Sequence, residues 1–516
     1  MITEIYLDAN ATSPVLPAAA AAAMATLQEC FGNPSSSHAS GLRARALREG
    51  ARACARRVLG APSGRLMFNS GATEGIQTAV LSALCAVRER RARGEACGEG
   101  AANIVLVGAT EHKAVSESLA HWNRLLGLGI ELRVLPVDGD GRHRLDVLRE
   151  LAPRLAFVCT MAANNETGVV SDLDGIAAVL SETGSPALWM VDCVQALGKL
   201  PLALGASRID YAPFSGHKLH APKGIGMLYV REGAPFTPLI CGGGQEDNDR
   251  SGTENMAGIA ALGAVLEALE RGDTFVGHEA LQAHRARLVD ALTRAFPGIV
   301  FNAPLAHTLP TTLNFSIPGV ASAELLDLFD AAGMRVSAGS ACAASKAAPS
   351  HVLDAMGLPA WRSASAVRLS IGPLLDAAAL EQACERIARC GAALAMPAPA
   401  AAPEAAPPDA ALDACMELDA IAARGWLAAH PDAIVVDVRD AREHSVAGQV
   451  ELHGRMALNV PLASVAEHAP AWLGADARPL LFVCRSGARS ARAARTLRAL
   501  GHPRACSLAG GFALAI

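Results

Sequence analysis

The sequence predicts an α/β protein that is divided into more than one domain. Short apolar runs at 104–107, 155–158 and 188–191 are typical of buried strands in a largely parallel sheet. The stretches 116–126 and 175–182 have the apolar spacing of helices, and this alternation favours an α/β domain with helices on both sheet faces. A chain of 516 residues also exceeds what one hydrophobic core usually organises.

The composition describes an ordinary globular protein and argues against several classes of partner. With 18% charged residues and a net charge of −5, the chain has no electrostatic reason to bind nucleic acid or an anionic membrane. No apolar run is long enough to span a bilayer, and the first residues lack the basic start of an export signal, so we expect a cytoplasmic protein. The 13 cysteines are scattered without a Cys-x-x-Cys pair, so we expect neither a metal site nor a disulfide framework.

The first domain is predicted to have a large part and a small part. An amphipathic helix at 279–296, followed by a strand at 312–316, indicates a smaller α+β unit late in this domain. We therefore predict a first domain at 1–395. Its large part runs from about 15 to 260, and its small part combines about 261–395 with the N-terminus.

A change of composition separates this domain from a second one. The Ala/Pro-rich stretch 396–411 cannot bury a core and should be an extended, semi-stiff spacer. Beyond it, strand-like runs at 434–438 and 480–483 indicate a small α/β domain at 412–516.

Four segments of the first domain carry residues that would suit one cofactor site. Small residues at 69–74 follow an apolar strand, where backbone N–H groups could hold a phosphate or simply cap a helix. Asp192 ends a predicted strand, where its carboxylate could keep a pyridine nitrogen protonated or cap the next helix. Lys218 lies among small residues after another strand and is a candidate Schiff-base amine. His112 follows the strand at 104–107 and could be a ligand or a structural histidine.

The segment 215–226 closely resembles the cofactor-lysine motif of the cysteine desulfurases, in the class V aminotransferase group. Other segments match signatures of that family in the same order, so the resemblance covers essentially residues 3–390. These segments are 7–14, 31–36, 70–74, 111–113, 164–166, 192–195 and 250–253. The resemblance implies a PLP-dependent transferase fold like that of aspartate aminotransferase, with pyridoxal 5'-phosphate (PLP) as cofactor, and a homodimer.

The resemblance also implies a role for each matching residue. Lys218 should bind PLP covalently and later move protons, Asp192 should pair with the pyridine nitrogen, and His112 should stack on the ring. Arg368 should grip the carboxylate of the substrate, a task that suits a guanidinium. The other positions are Gln195 and Asn165 near the ring hydroxyl and substrate, Ala72, Thr73, Ser215 and His217 at the phosphate, and Thr253 at the phosphate of the partner subunit.

Cys342 lies in a run of small residues, 336–345, that has no apolar period. Such a run packs poorly, which favours a loop that can move. For Cys342 itself, the residues alone still favour a buried structural cysteine. The run resembles the longer active-site loop of one type of cysteine desulfurase, in which Cys342 matches the cysteine that takes the sulfur. The resemblance therefore implies conversion of L-cysteine to L-alanine with a persulfide on Cys342, whose thiolate is the reactive form.

The second domain carries a strand, a short loop and a helix around Cys484. Backbone N–H groups of such a loop, together with the helix dipole, favour an anionic sulfur. The loop consists of Cys484, Arg485, Ser486, Gly487, Ala488 and Arg489. It resembles the active loop of a rhodanese domain, and 437–439, 457–461 and 508–511 resemble other signatures of that family. Cysteine phosphatases place five residues between cysteine and arginine, whereas residues 485–488 make four here, which favours sulfur chemistry.

The two resemblances together predict a sulfurtransferase that works in two stages. Sulfur would pass from L-cysteine to Cys342, then to Cys484 and then to an acceptor, because the spacer raises the effective concentration of the receiving thiol. One alternative keeps the desulfurase and makes the rear domain only a docking module for acceptor proteins. Another is a selenocysteine lyase or an aminotransferase of the same fold. The acceptor could be an iron–sulfur scaffold, a tRNA-thiolating enzyme or a molybdenum-cofactor enzyme.

Overall fold

The computed structural model describes residues 4–94, 103–339, 350–397, 417–474 and 477–515. Cys342 and most of the predicted spacer lie outside these residues. Among the described residues, no helix has both the length and the apolar character needed to cross a membrane. Within the same ranges, no group of three or more His, Cys, Asp or Glu side chains is arranged to hold a metal ion.

The large part of the first domain is built on a seven-stranded sheet. In spatial order its strands are β2 (Arg65–Asn69), β8 (Gly226–Val230), β7 (Tyr211–Ser215), β6 (Leu188–Asp192), β5 (Leu155–Met161), β3 (Ile104–Gly108) and β4 (Glu131–Leu135). Strand β8 is antiparallel to both of its neighbours, and the other pairs are parallel. The three strands predicted from apolar runs are confirmed as β3, β5 and β6, which are adjacent in the middle of the sheet.

Helices cover both faces of this sheet. One face carries α3 (Ala72–Ala92) and α4 (Lys113–Leu125), and the other carries α1 (Pro17–Glu29), α2 (Ala39–Val58), α5 (Leu145–Leu151), α6 (Leu173–Glu182) and α7 (Met256–Arg271). Alternate residues of β3 show the division, since successive side chains of a strand point to opposite faces. Ile104 and Leu106 pack on the side of the larger helix group, whereas Val105 packs with α3 and α4.

Helix α7 places the boundary between the large and small parts later than the sequence predicts. Its residues Ile259, Leu262 and Val265 are buried in the core that α1 and α2 also enter. The large part therefore extends to Arg271 and does not end near residue 260. The sequence pattern could not show this, because an amphipathic helix does not reveal which core its apolar face joins.

The small part combines a three-stranded antiparallel sheet with helices. The sheet order is β12 (Val367–Ser370), β10 (Thr312–Ser316) and β9 (Val300–Phe301). Its helices are α8 (His278–Ala295), α9 (Ser322–Ala331), α10 (His351–Ala355), α11 (Ala360–Ser365) and α12 (Ala377–Leu394). The N-terminal strand β1 (Ile5–Tyr6) pairs in parallel with β11 (Met334–Arg335), so the start of the chain belongs to this part. Phe296, Phe315 and Phe329 lie in its core.

The second domain has a five-stranded sheet in which every pair is parallel. Its order is β13 (Glu417–Leu418), β19 (Ala505–Leu508), β18 (Leu480–Val483), β14 (Ile434–Asp437) and β17 (Leu458–Asn459). A separate hairpin pairs β15 (Glu451–Leu452) with β16 (Arg455–Met456). The helices are α13 (Ala420–Ala429), α14 (Ala441–Ala447), α15 (Val465–Trp472), α16 (Ala488–Ala499) and α17 (Gly511–Leu514). Two apolar clusters, one on each face of the sheet, form its core.

The second domain packs against the small part of the first. Helix α14 contacts α9 and α12, and Val446 of α14 is buried among the apolar residues of the small part. Arg442 of the same helix donates to the carbonyl oxygen of Met396 at 2.6 Å and pairs with Glu324 of α9. Apolar and charged contacts therefore both hold the two domains together.

The contact between α8 and α12 gives a test of the packing in the small part. A Cβ on Gly391 of α12 would overlap the carbonyl oxygen of Ala295, which ends α8. We expect Gly391→Ala to destabilise the small part by about 1–3 kcal/mol, because backbone atoms must move to make room. Urea unfolding followed by tryptophan fluorescence and circular dichroism would measure the loss.

Gly425 provides the control for this substitution. It lies in α13, is exposed, and has nothing within 4 Å of its ideal Cβ position. Gly425→Ala should stabilise its helix by about 0.5–1 kcal/mol, since alanine loses less backbone entropy on folding. An unchanged unfolding midpoint for Gly391→Ala would contradict the close approach of α8 and α12.

Candidate active site

A cavity of about 470 Å³ lies where strands β5, β6 and β7 end and the large part meets the small part. Their last residues, Met161, Asp192 and Ser215, line it, as expected at the carboxyl edge of parallel strands. The volume suits a small cofactor together with a substrate. Ten residues singled out from the sequence surround it: Ala72, Thr73, His112, Asn165, Asp192, Gln195, Ser215, His217, Lys218 and Arg368.

The start of helix α3 forms one end of the cavity. Gly71 precedes the helix with a φ of +147°, a backbone conformation that favours glycine. The side-chain oxygen of Asn69 accepts a hydrogen bond from the N–H of Gly71 at 3.0 Å and fixes the turn. The first N–H groups of a helix, here those of Ala72 and Thr73, have no acceptor within the helix. This end of the cavity can therefore receive an anion such as a phosphate.

Lys218 follows β7 in a short 3₁₀ turn and directs its amine toward the N-terminal segment. Its Nζ donates to the carbonyl oxygen of Asn10 at 2.5 Å and to that of Ala11 at 2.9 Å. Both of these acceptors are neutral. Lys218 also lines the cavity, so a ligand bound there would lie beside this amine.

Asp192 ends β6 with its carboxylate buried against the cavity. Its Oδ1 accepts a hydrogen bond from the N–H of Val194 at 2.9 Å, so the residue does cap the following turn. Burial raises the pKa of Asp192 to about 6, an effect larger than the opposing charge of Lys218. A second cation in the cavity would stabilise the ionised carboxylate. The position therefore suits a ligand that carries a protonated ring nitrogen.

His112 presents a neutral ring to the cavity. Its Nδ1 accepts a hydrogen bond from the N–H of Ala114 at 3.1 Å and so caps the start of α4. Burial, followed by the positive charge of Lys218, lowers the pKa of His112. Because Nδ1 is an acceptor, the single ring proton is on Nε2.

Arg368 of β12 is almost completely buried on the small-part side of the cavity. Its guanidinium donates to Asp8 at 2.6 Å and to the hydroxyl of Ser337 at 2.7 Å, and it also donates to the carbonyl oxygen of Asn165 at 3.0 Å. Its Nε is buried and has no hydrogen-bond partner among the described residues. A guanidinium that is held in place beside a cavity is suited to bind a carboxylate.

Glu166 lies between the two chain ends that flank the segment 340–349. Its Oε2 accepts a hydrogen bond from the hydroxyl of Ser350 at 2.6 Å, and a Cβ placed on Gly339 would lie 2.9 Å from the same oxygen. Cys342 itself lies outside the described residues. Gly339 and Ser350, the described residues on either side of 340–349, therefore both lie beside Glu166. Glu166 directly follows the cavity residue Asn165.

Asn10, which lines the cavity, and Lys199, which contacts cavity residues, were not singled out from the sequence. The Nζ of Lys199 donates to Gln195 Oε1 at 2.5 Å and to Asn10 Oδ1 at 3.2 Å. Although Lys199 is only half-buried as a whole, its amine is enclosed. Burial, followed by the charges of Lys218 and Arg368, lowers the pKa of Lys199 to about 7. The available signal was a lysine four residues after Gln195 in an otherwise apolar stretch.

Thr253 does not line this cavity in its own chain. It is exposed, and it borders a smaller hollow of about 150 Å³ together with Ser70 and Arg250. Arg250 pairs with Glu74 of α3 at 2.9 Å and so ties this loop to the helix that begins at the cavity.

A second site lies around Cys484 in the rear domain. Cys484 directly follows β18 and is fully buried, and its Sγ accepts a hydrogen bond from the N–H of Ser490 at 3.4 Å. Gly487, at the start of α16, has a φ of +90°, and a Cβ there would lie 2.8 Å from the backbone nitrogen of Gly510. Arg489 of the loop donates to both carboxylate oxygens of Glu443. The sulfur thus lies at the positive end of a helix dipole, within a loop that carries two arginines.

The two domains match two family models. Residues 5–382 match the model described as aminotransferase class-V, and residues 422–514 match that of a rhodanese-like domain. A protein of Cereibacter sphaeroides named cysteine desulfurase is 38% identical over 384 residues, which are 74% of this chain and 94% of that protein. One of the same name from Gluconacetobacter diazotrophicus is 40% identical over 370 residues, which are 71% of this chain and 88% of that protein.

The first domain is also similar to a solved structure. A protein titled NifS-like is similar with a TM-score of 0.66 and 31% sequence identity, over 75% of this chain and 98% of that one. The match to the Cereibacter sphaeroides protein accounts for nearly all of that relative but for only three quarters of this chain. The rear domain is therefore an addition to the architecture of that relative.

The buried amine of Lys199 predicts a pH dependence of stability. The pKa of Lys199 in the folded protein, about 7, lies below its ordinary value of 10.5, so between these pH values the unfolded chain binds more protons. The free energy of unfolding should therefore rise with pH across this window, by at most about 1.4 kcal/mol per pH unit. Lys199→Met should remove this contribution. Urea unfolding of the cofactor-free protein at pH 7, 8 and 9 would measure the difference in slope.

Lys113 is the matched control, because it is an exposed lysine outside the cavity. Lys113→Met should leave the pH slope of the unfolding free energy as it is in the unsubstituted protein. Equal slopes for Lys199→Met and the unsubstituted protein would show that the amine of Lys199 is not enclosed.

Proposed function

The chain belongs to the aminotransferase class-V family, and we propose that it is a cysteine desulfurase whose rear domain receives the sulfur. The observation that carries the first stage is the shared cavity, where the amine of Lys218, the carboxylate of Asp192 and the guanidinium of Arg368 meet. In this stage L-cysteine and the thiol of Cys342 become L-alanine and a persulfide on Cys342.

The residues around the cavity fit pyridoxal 5'-phosphate, the cofactor of cysteine desulfurases in this family. When bound, this cofactor withdraws electrons from the substrate and makes its α-proton acidic. The start of α3, with Ser215 and His217, would hold the phosphate, and Asp192 would pair with the ring nitrogen. Burial raises the pKa of Asp192, and a protonated ring nitrogen would be the cation that stabilises its ionised form. Lys218 would supply the amine that binds the cofactor.

Lys218 would also carry the α-proton of the substrate. Its amine donates to the carbonyl oxygens of Asn10 and Ala11 and borders the cavity, where it could exchange a proton with a bound substrate. The neutral ring of His112 lines the same cavity and offers a proton on Nε2. These two side chains therefore supply a base and a donor on one cavity.

Arg368 would bind the carboxylate of L-cysteine and fix the orientation of the substrate. Asp8 and Ser337 hold its guanidinium in place beside the cavity. Because Arg368 is almost completely buried, this charge is screened less by water than a surface arginine would be. A substrate without a carboxylate should lose this contact.

Cys342 would be the nucleophile that takes the sulfur. Its thiolate attacks the sulfur of L-cysteine, so that an S–S bond forms as the C–S bond of the substrate breaks. Support comes from the flanking residues Gly339 and Ser350, which both lie beside Glu166 next to the cavity. Three peptide units limit the distance between the Cα atoms of Gly339 and Cys342 to about 11 Å.

The second stage would move the sulfur to Cys484. The thiolate of Cys484 attacks the outer sulfur of the persulfide, which forms a persulfide on Cys484 and returns the thiol of Cys342. The positive end of α16 lies beside Cys484 and would attract an anionic sulfur donor to this loop. An iron–sulfur scaffold or a thiolation enzyme would then be the acceptor.

A homodimer would complete the cofactor site. Thr253 is exposed and lies outside the cavity of its own chain, on a loop that Arg250 ties to Glu74. In the proposed dimer, Thr253 reaches the phosphate end of the partner subunit's cavity.

Removal of the thiol at position 342 tests the first stage. We expect Cys342→Ala to lower alanine formation from L-cysteine by about 100-fold or more, because no other group is proposed to accept the sulfur. The visible absorbance of the bound cofactor should persist, since Lys218 is intact. Cys241→Ala, which changes an exposed cysteine of the same domain, is the control and should form alanine normally. Normal alanine formation by Cys342→Ala would show that the nucleophile is another residue.

Transfer of labelled sulfur tests the second stage. With L-[35S]cysteine, the label should appear first on the peptide with Cys342 and then on the peptide with Cys484. Cys484→Ala should retain the first label and keep forming alanine in the presence of a reducing thiol, and Cys506→Ala is a control within the rear domain. Absence of label at Cys484 during turnover of the unsubstituted protein would overturn the relay and favour a docking role for the rear domain.

A further inference from the structure

The loop that carries Cys484 is held against the first domain by charge. Helix α9 presents Glu324, Asp327 and Asp330 at intervals of three residues, while its Leu325 and Phe329 point into the core of the small part. Residues three apart lie on the same side of a helix, so the three acids form one stripe, which we call the acidic face of α9. Each of them pairs with an arginine of the rear domain.

The contacts centre on the residue next to the sulfur. Arg485 donates from Nη1 to Asp327 at 2.8 Å, and its Nε lies 2.9 Å from an oxygen of Asp330. Arg489, the last residue of the loop, has its Nη2 3.9 Å from Asp327 while it pairs with Glu443. The acidic face therefore contacts both arginines of the loop at 484–489.

A second row of contacts fixes the orientation of the rear domain. Arg442 pairs with Glu324 and donates to the carbonyl oxygen of Met396, and Val446 of the same helix is buried in the small part. Asp330 also accepts a hydrogen bond from Arg335 of β11 at 2.7 Å. Polar contacts and apolar packing therefore together hold α14 and the loop at 484–489 in one arrangement.

This arrangement is unfavourable for the chemistry of a sulfur carrier. Cys484 has no exposed surface, so a donor or acceptor in solution cannot reach its sulfur. The guanidinium of Arg485, which would attract an anionic sulfur donor, is instead neutralised by two carboxylates. The docked loop therefore has less of the positive charge that it needs, while its sulfur lies buried among residues of the rear domain.

We propose that the acidic face of α9 is a docking site for the chain's own sulfur loop, and that the docked loop is closed to sulfur exchange. The rear domain must leave this site, at least at Arg485, before Cys484 can gain or lose sulfur. The occupant is intramolecular, because the contacts described join residues of one chain. The proposal rests on the proposed sulfur-carrying role of Cys484 but not on transfer from Cys342.

Thiosulfate tests the closure without using the first domain. In this reaction the thiolate of Cys484 attacks the outer sulfur of thiosulfate, a persulfide forms and sulfite leaves, and cyanide then takes the sulfur as thiocyanate. In the full-length holoenzyme, Asp327→Arg combined with Asp330→Arg should raise the rate by about two- to tenfold, because exposed ion pairs each hold the loop weakly. Added salt should raise the rate of the unsubstituted protein in the same direction and should have less effect on the variant.

Alkylation gives a second measurement that needs no sulfur chemistry. The rate at which iodoacetamide modifies Cys484, followed by mass spectrometry of its peptide, should rise in the same variant, while the rate at the exposed Cys241 should not change. Asp290→Arg, a charge reversal at an exposed residue of α8 that pairs with Arg294 of the same helix, should change neither rate. The acidic face is not part of the catalytic cavity, so alanine formation should be retained and serves as the check on folding.

A charge exchange separates docking from a general effect of charge. Glu324→Arg alone should speed both reactions of Cys484, and adding Arg442→Glu should partly reverse the effect by restoring an ion pair of opposite polarity. Unchanged or slower thiosulfate turnover and alkylation in the Asp327/Asp330 variant would overturn the closed state. Faster alkylation without any thiosulfate turnover would keep the docking proposal and would instead refute Cys484 as a sulfur carrier.

Discussion

The hydrogen bonds of Asn10 join the two parts of the first domain at the cavity, and the site depends on them. Its carbonyl oxygen accepts from Lys218 and Gln195 of the large part. Its side-chain amide donates to Thr312, and its backbone N–H donates to Ser370, both in the small part. Because every polar atom of this buried residue is used, displacement of the N-terminal segment would leave several buried groups without partners. The N-terminal segment at Asn10 therefore sets the positions of residues that are far away in sequence.

Buried positive charge is the second feature that organises the site. The positive charges of Lys218 and Arg368 lie close enough to Lys199 to contribute to its lowered pKa. Mutual repulsion of this kind disfavours the ligand-free state and is relieved when anions enter. The proposed cofactor phosphate and substrate carboxylate would bring such charges into the cavity. The electrostatics that lower stability without a ligand are thus the same ones that favour binding.

This chain joins two sulfur-handling domains. The match to the Cereibacter sphaeroides relative covers only three quarters of the chain, so that relative accounts for only part of this arrangement. Apolar packing of α14 and ion pairs of Arg442 and Arg485 contribute to the same interface. Ion pairs at a partly exposed interface contribute little free energy each and are sensitive to salt. Such an interface fits the proposed carrier role, in which the rear domain would leave α9 without unfolding.

The sequence alone determined the fold class, the strands β3, β5 and β6, and the segments whose residues surround the cavity, because apolar periodicity and local motifs are properties of short stretches. It also carried the resemblance by which the first domain was identified. Only the tertiary structure decided that α7 joins the large core, that Asn10 lines the cavity and that Lys199 contacts it there. It likewise decided that Arg485 faces α9. These are contacts between residues far apart in the chain, and the energy of such contacts depends on burial and distance, which no local pattern of residues records.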